Sequence, residues 1–210
     1  MLRRIHSVDL NYSNINLFPS VIHQVDVNGF GKIQDKLIDY AYDLKKIEPE
    51  GISISNHGGW QSPDFSVNNE DGDVLHNFII KCLAGFPVID ESFNMTVNAW
   101  ININKPGDFN IKHNHPCADL SGVLWIKCPE DCGVILFEPP TSFQSHTEVN
   151  SYTDNFKKQN NVFHSYFFNP TEGRMLIFPA HLNHQVKDNK SNEDRISVSF
   201  NIRLWNQTRC

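Results

Sequence analysis

No run of roughly 18 or more apolar residues occurs in the sequence, which excludes a membrane-spanning helix. Positive charge is also scarce: 18 Lys and Arg stand against 24 Asp and Glu, a formal net charge of −6. Without a general basic footprint, the bulk electrostatics weigh against nucleic acid as a partner. A CxxC pair is missing, and the cysteines (82, 117, 128, 132 and 210) are odd in number, so reduced thiols are expected. Cys117, Cys128 and Cys132 together would be the material for a zinc site, but their spacing alone does not support one. The amino terminus, MLRRIHSVDLNYSNINLF, has two arginines but no continuous apolar segment and no small-residue cleavage site. The expectation is an uncleaved, cytoplasmic protein. Internal repeats are absent.

What is present is enough for a sizeable core. The 210 residues, 40% apolar and 11% aromatic, suit one large domain spanning 1–210. FPSVIHQVDVN, rich in Val and Ile, reads as a first strand. FGKIQDKLIDYAYDLKKI places Ile33, Leu37, Ile38, Ala41, Tyr42 and Leu44 on one helical face, with Gly31 near its start and Pro49 beyond its end. SNHGGWQSPDF reads as a loop. GDVLHNFIIKCLAGF reads as a second helix, with Asp73 as N-cap and a stop at Gly85 and Pro87.

After residue 90 the pattern changes. NMTVNAWININ alternates strictly, with Val97, Ala99, Ile101 and Ile103 on one face and Asn98, Trp100, Asn102 and Asn104 on the other. SGVLWIK, GVILFEP, FHSYFFN, RMLIFPA and RISVSFNIRLW follow as short strands. The expected class is mainly β (α+β): a double-stranded β-helix, or jelly roll, over about 93–205, with a helical elaboration over about 30–86 packed outside it. Residues 141–162 form one long polar interruption, of the kind that serves as a lid or stays unstructured.

The chemistry concentrates in IKHNHPCADLSGVLWIK. His113 and His115 sit one residue apart, and on a strand residues i and i+2 point the same way. Neutral imidazoles are common ligands for iron, zinc or copper. A third ligand from a later strand would leave open positions for substrate and oxygen. GRMLIFPAHLNHQV offers His184 for that role, directly after a strand and a proline turn, with His181 three residues earlier; both read as lying in a turn between strands. With ten histidines in the chain, an HxH pair alone is weak, and its conjunction with His184 in a β half is what counts. Eleven residues after His184, Arg195 opens RISVSFNI. There Ile196, Val198, Phe200 and Ile202 form an apolar face, and Arg195, Ser197, Ser199 and Asn201 form the other. An arginine among small hydroxyl residues is suited to gripping a carboxylate with two N–H groups.

GGWQS, AWININKPGDFNIKHNHP, LSGVLWIK, FPAHLNHQV and RISVSFN, in that order between about residue 17 and residue 203, resemble a small bacterial and phage branch of the iron(II)- and 2-oxoglutarate-dependent oxygenases. That family has the double-stranded β-helix fold. The resemblance implies an enzyme that uses Fe(II), 2-oxoglutarate and O2 to hydroxylate a substrate, releasing succinate and CO2. It implies His113, His115 and His184 as iron ligands and Arg195 as the anchor of the distal carboxylate of 2-oxoglutarate. Ser197 and Asn102 are further candidates for the co-substrate pocket, while Trp100 and Trp125 read as packing. The superfamily usually has a carboxylate where His115 stands. Either three histidines hold the iron or a nearby acid, Asp119, completes the site; three histidines are the reading adopted. A cupin, with His113, His115, Asp119 and His184 as ligands and no keto acid, is the competing identification. A non-catalytic jelly-roll binding module is a third. The primary substrate is not readable from these motifs: a protein side chain, a small metabolite and a nucleobase are all open, and the acidic balance disfavours the last.

Overall fold

The computed structural model describes residues 13–16, 18–67, 74–84, 89–90, 92–140 and 146–206. In chain order these form β1 (His23–Asp26), α1 (Gln34–Ile47), β2 (Asn56–His57), β3 (Trp60–Gln61), β4 (Phe65–Val67), α2 (Val74–Ala84), β5 (Phe93–Asn104) and β6 (Phe109–His113). Then come β7 (Leu120–Lys127), β8 (Ile135–Phe137), α3 (His146–Ser151), α4 (Asp154–Asn160), β9 (Tyr166–Phe168), β10 (Arg174–Pro179), β11 (His184–Val186) and β12 (Arg195–Asn206). The expected caps and stops at Asp73, Gly85 and Pro87, the amino-terminal segment 1–12 and Cys210 lie outside the described residues.

The strict alternation of β5 and β12 organises the larger sheet. These two strands pair antiparallel along their whole length, from Arg195 opposite Asn104 to Asn206 opposite Phe93. The sheet runs β1-β10-β7-β12-β5-β3, with β4 also on β5. One face carries Ala99, Ile101, Ile103, Ile196, Val198, Phe200 and Ile202, all fully buried, and Val97, 8% exposed. They form one cluster with Leu37 and Ala41 of α1 and Leu75, Ile79 and Leu83 of α2, so the helices cover this face. Each such side chain contributes about 1.5–3 kcal/mol by leaving water. Tyr42 of α1 donates to Asp194 Oδ2 at 2.9 Å, and Gln34 Nε2 donates to the Ile126 carbonyl at 2.9 Å, which fixes the helix against β7 and the entry to β12.

The smaller sheet runs β2-β6-β11-β8-β9, again antiparallel. A second cluster, Val123, Trp125, Ile135, Phe137, Leu176, Phe178 and Leu182, draws on strands of both sheets. Two antiparallel sheets with the helices outside give the double-stranded β-helix that the sequence suggests. At Gly122 a Cβ would lie 2.2 Å from the Phe200 ring and 2.7 Å from the Leu176 carbonyl, so the strands approach there only because that side chain is missing.

Three local readings need correction. SNHGGWQSPDF is not simply a loop: it carries β2 and β3 and ends on the first residue of β4. The otherwise open edge of β5 recruits the segment, and Ser62, fully buried, accepts from the Ile101 N–H at 3.0 Å. His184 does not lie in a turn but opens β11. Within 141–162 the described part contains α3 and α4 rather than only loop. The Thr153 hydroxyl caps α4 by accepting from Phe156 N–H at 3.3 Å. These helices lack the apolar stripe by which a helix is read in sequence.

Candidate functional site

His113 ends β6 and His184 begins β11, and the two are direct partners across the strand pair. Their ring centroids lie 4.4 Å apart. His115 stands two residues past the end of β6, so strand alternation does not aim it. Its N–H donates to the Ala180 carbonyl at 2.9 Å, which pins the segment beside the β10–β11 turn. Its ring centroid lies 5.1 Å from that of His113 and 5.2 Å from that of His184. One ring nitrogen from each residue falls within 4.8 Å of the others, the sole such group of three His, Cys, Asp or Glu among the described residues.

The backbone sets the tautomers. His113 Nδ1 lies 2.7 Å from the Ile111 carbonyl and His184 Nδ1 lies 3.0 Å from the Leu182 carbonyl. A carbonyl only accepts, so each Nδ1 carries the proton and each Nε2 keeps its lone pair, the second-layer arrangement usual for metal-binding histidines. Burial pushes the pKa of all three imidazoles down, His115 to about 3 and His184 to about 4, with repulsion from neighbouring rings adding to the effect at His115 and His184. At neutral pH the cluster is therefore uncharged and electron-donating. Phe178 and Phe137 pack on His184, and Trp100 lies against His115 with 5.9 Å between ring centroids.

The three imidazoles share a cleft with Arg195. Its cavity volume is about 40 Å³, and the empty space counted together with open solvent is about 540 Å³. Asn102, Asn104, Ser197 and Ser199 also line it. A bulge in β6 opposite His184 and Val186 turns both Asn110 and His113 toward the cleft, although they are three residues apart. Register orders the cleft: Arg195 opposite Asn104, then Ser197 opposite Asn102, then Ser199 opposite Trp100. Exposure rises along this series, from 1% at Arg195 and 2% at Asn104, through 7% and 5% at Ser197 and Asn102, to half-buried Ser199 and Trp100. Arg195 is thus the floor and Trp100 stands near the mouth.

Arg195 lies in an interior strand, not on a surface edge. Its Nη1 donates to the carbonyls of Cys132, Lys187 (3.2 Å) and Gly133 (3.5 Å). Nη2 is buried and has no hydrogen-bond partner, and none of the described carboxylates forms an ion pair with the guanidinium. Burial pushes its pKa below the usual value, the expected response of a cation removed from water. Asn102 Nδ2 donates to Ser199 Oγ at 3.0 Å, while its Oδ1 is buried without a partner. A buried unsatisfied cation and amide are costly unless a ligand completes them. A divalent cation at the imidazoles and a dicarboxylate reaching from it to Nη2 fit this donor set.

Other candidates lie elsewhere. Asp119 Oδ2 accepts from the Leu204 N–H at 2.7 Å, tying its segment to β12, and Asp119 is not part of the histidine group. His181 is exposed on the turn before β11. Trp125 is 2% exposed within the inter-sheet core, as packing requires, and it also forms part of the cleft wall. Cys117 is exposed, and the three cysteines do not form a metal-type group. Sequence reasoning missed Ser55, Asn110 and the carbonyls that seat Arg195. The first two sit next to irregular backbone, and backbone carbonyls carry no residue signature at all.

Residues 98–201, which contain the three histidines, Arg195, Ser197 and Asn102, match the family described as "Putative 2OG-Fe(II) oxygenase". No curated protein is matched by the chain. Among solved structures, a Pseudomonas putida prolyl-4-hydroxylase is similar at TM-score 0.53 and 13% identity, over 87% of this chain and 91% of that one. The carbocyclase SnoK from nogalamycin biosynthesis, described as non-heme and alpha ketoglutarate dependent, is similar at TM-score 0.61 and 9% identity, over 86% and 78%. A prolyl hydroxylase from Trichoplax adhaerens, in complex with a peptide fragment of the hypoxia inducible factor oxygen degradation domain, is similar at TM-score 0.58 and 11% identity, over 87% and 83%. These likenesses establish the fold. With the family match and the cleft described above, the chain belongs to the 2OG-Fe(II) oxygenases, enzymes that use Fe(II), 2-oxoglutarate and O2.

Proposed function

We propose that His113, His115 and His184 hold Fe(II), that Arg195 receives the distal carboxylate of 2-oxoglutarate, and that the enzyme hydroxylates a C–H bond on a protein side chain or a small metabolite. The observation that carries this reading is the buried Arg195 Nη2, left without a partner at the floor of the cleft that the three imidazoles share. Three neutral ligands leave the full charge of the cation in place, which favours a dianionic co-substrate more than a site with a carboxylate ligand would. When bound, Fe(II) and 2-oxoglutarate supply the oxidative decarboxylation that activates O2 and yields succinate and CO2.

The chain's own contribution is orientation and exclusion of water. The Ile111 and Leu182 carbonyls hold two rings with Nε2 forward. Arg195 and Ser197 fix the far end of the co-substrate. The Asn102 amide, turned by its bond with Ser199, offers either an N–H or a carbonyl to the pocket, because the Ser199 hydroxyl can accept or donate. The primary substrate enters at the half-buried end, past Trp100.

Anaerobic titration tests the reading. Adding 2-oxoglutarate to the Fe(II) protein is expected to produce a visible charge-transfer band that requires both components. Arg195→Ala is expected to weaken 2-oxoglutarate about 100-fold, the scale of unpairing a buried charge, with iron affinity preserved. Unchanged 2-oxoglutarate affinity in Arg195→Ala removes the assigned anchor. Iron binding without the band favours a metal-dependent enzyme that uses no keto acid.

A further inference from the structure

The turn between β7 and β8 holds a thiol pair that the oxygenase reading does not use. Cys128 and Cys132 bracket Cys128-Pro129-Glu130-Asp131-Cys132, which is closed by the Cys132 N–H donating to the Pro129 carbonyl at 3.2 Å. Both thiols are free, and they stand at the two ends of this five-residue turn, close enough for each to perturb the other's ionisation. Cys132 is 3% exposed, whereas Cys128 is half-buried, with its N–H donating to Glu172 Oε1 at 3.0 Å. The carbonyl of Cys132 is also a seat of Arg195 Nη1. The next residue, Gly133, has φ +89°, and a Cβ there would lie 2.2 Å from the Lys187 carbonyl. A change at the Cys132 sulfur therefore acts on backbone that is tightly confined and in direct contact with the guanidinium.

We propose that Cys128 and Cys132 are an oxidative modification site, a dithiol that hydrogen peroxide converts to a disulfide, and that this shifts Arg195 and weakens co-substrate binding. The second half rests on Arg195 as the anchor of 2-oxoglutarate. The hydrogen bond from Cys128 and the nearby Arg195 charge lower the Cys132 thiol to about 7, against the opposing effect of burial, while Cys128 is pushed up. Of the pair, Cys132 is the thiol that gives up its proton more readily, and it is the sulfur that attacks. Its sulfur forms a bond to one peroxide oxygen as the O–O bond breaks, and the leaving hydroxide takes a proton to become water. The Cys128 sulfur then displaces the oxygen of the resulting sulfenic acid, which leaves as a second water with the Cys128 proton. Two thiols lose two electrons and two hydrogens, and the peroxide is reduced to two waters. A disulfide holds the two sulfurs about 2.05 Å apart, which draws the two ends of the turn together. The burial of Cys132 admits a small oxidant more readily than a bulky electrophile.

The test uses the full chain, freed of metal and kept with a chelator so that iron does not generate other oxidants. After treatment with hydrogen peroxide, intact-mass and peptide analysis is expected to find the loss of two hydrogens and a Cys128–Cys132 crosslink. After peroxide removal and anaerobic Fe(II) loading, 2-oxoglutarate affinity is expected to be about tenfold weaker. A dithiol reductant should restore it, and Cys128→Ser and Cys128→Ala should bind 2-oxoglutarate tightly with or without peroxide. Absence of the crosslink, or a crosslink that leaves affinity unchanged, overturns the proposal. Failure of the untreated, reduced protein to bind 2-oxoglutarate overturns the anchor reading and with it the proposed coupling, while crosslink formation is still scored by mass.

Discussion

At the scale of residues, the histidine cluster is set by where protons can sit. His113 and His184 each commit Nδ1 to a carbonyl two residues earlier, and burial keeps all three rings neutral. This has a consequence for the metal-free protein. As pH falls through the ordinary histidine value of 6.5, the unfolded chain takes up protons, while folded His115 and His184 resist until about 3 and 4. Stability is therefore full above about pH 6.5 and declines as pH falls toward those lower values. Melting temperatures of the metal-free protein between pH 8 and pH 5 should fall with pH, and His115→Gln should flatten the slope. Equal slopes in the two proteins would contradict the burial-based account.

At the scale of elements, register does the positioning. Pairing of Arg195, Ser197 and Ser199 with Asn104, Asn102 and Trp100 lays out the cleft from floor to mouth, and the alternation of β5 and β12 makes that order readable in sequence. His115 was legible as a candidate, but the strand argument for it was not the operative one, because β6 ends at His113 and the hydrogen bond to Ala180 aims the segment. Asn110 escaped because a bulge breaks the period on which its face would be counted. The carbonyls of Cys132, Gly133 and Lys187 escaped because any residue supplies one. Asp119 belongs to this scale as well: it joins its segment to β12 and is not part of the histidine group. Asp119→Ala is expected to cost about 1 kcal/mol, the value of one hydrogen bond, with iron affinity within about twofold of wild type. Loss of iron binding in that variant would restore Asp119 as a ligand and favour the cupin arrangement. Chemical denaturation and metal titration read the two quantities separately.

At the scale of the whole molecule, one long-stranded sheet does two jobs. Its apolar face buries α1 and α2, and its opposite face supplies the floor and wall of the cleft. The mainly β class and the outer helices were legible because both periods, two for strands and 3.6 for helices, are cleanly written in the apolar pattern. The short strands β2, β3 and β4 and the polar helices α3 and α4 were not, because sheet edges and local capping fix them. A site built from remote strands also couples ligand binding to folding. Fe(II) at about 100 times its dissociation constant should add about 2.7 kcal/mol, or roughly 5–10 °C in melting temperature, under anaerobic conditions. His184→Ala should abolish that increment, and a full increment in His184→Ala would place the metal elsewhere.

The most direct measurement is a crystal structure with Fe(II) and 2-oxoglutarate grown without oxygen, with anomalous scattering collected at the iron edge. The account predicts one iron peak with His113 Nε2, His184 Nε2 and a ring nitrogen of His115 all at about 2.1 Å, the distance usual for a metal-bound imidazole, and the far carboxylate of the keto acid on Arg195 Nη2. An iron peak away from His184, or a co-substrate carboxylate that does not reach Arg195, would contradict it.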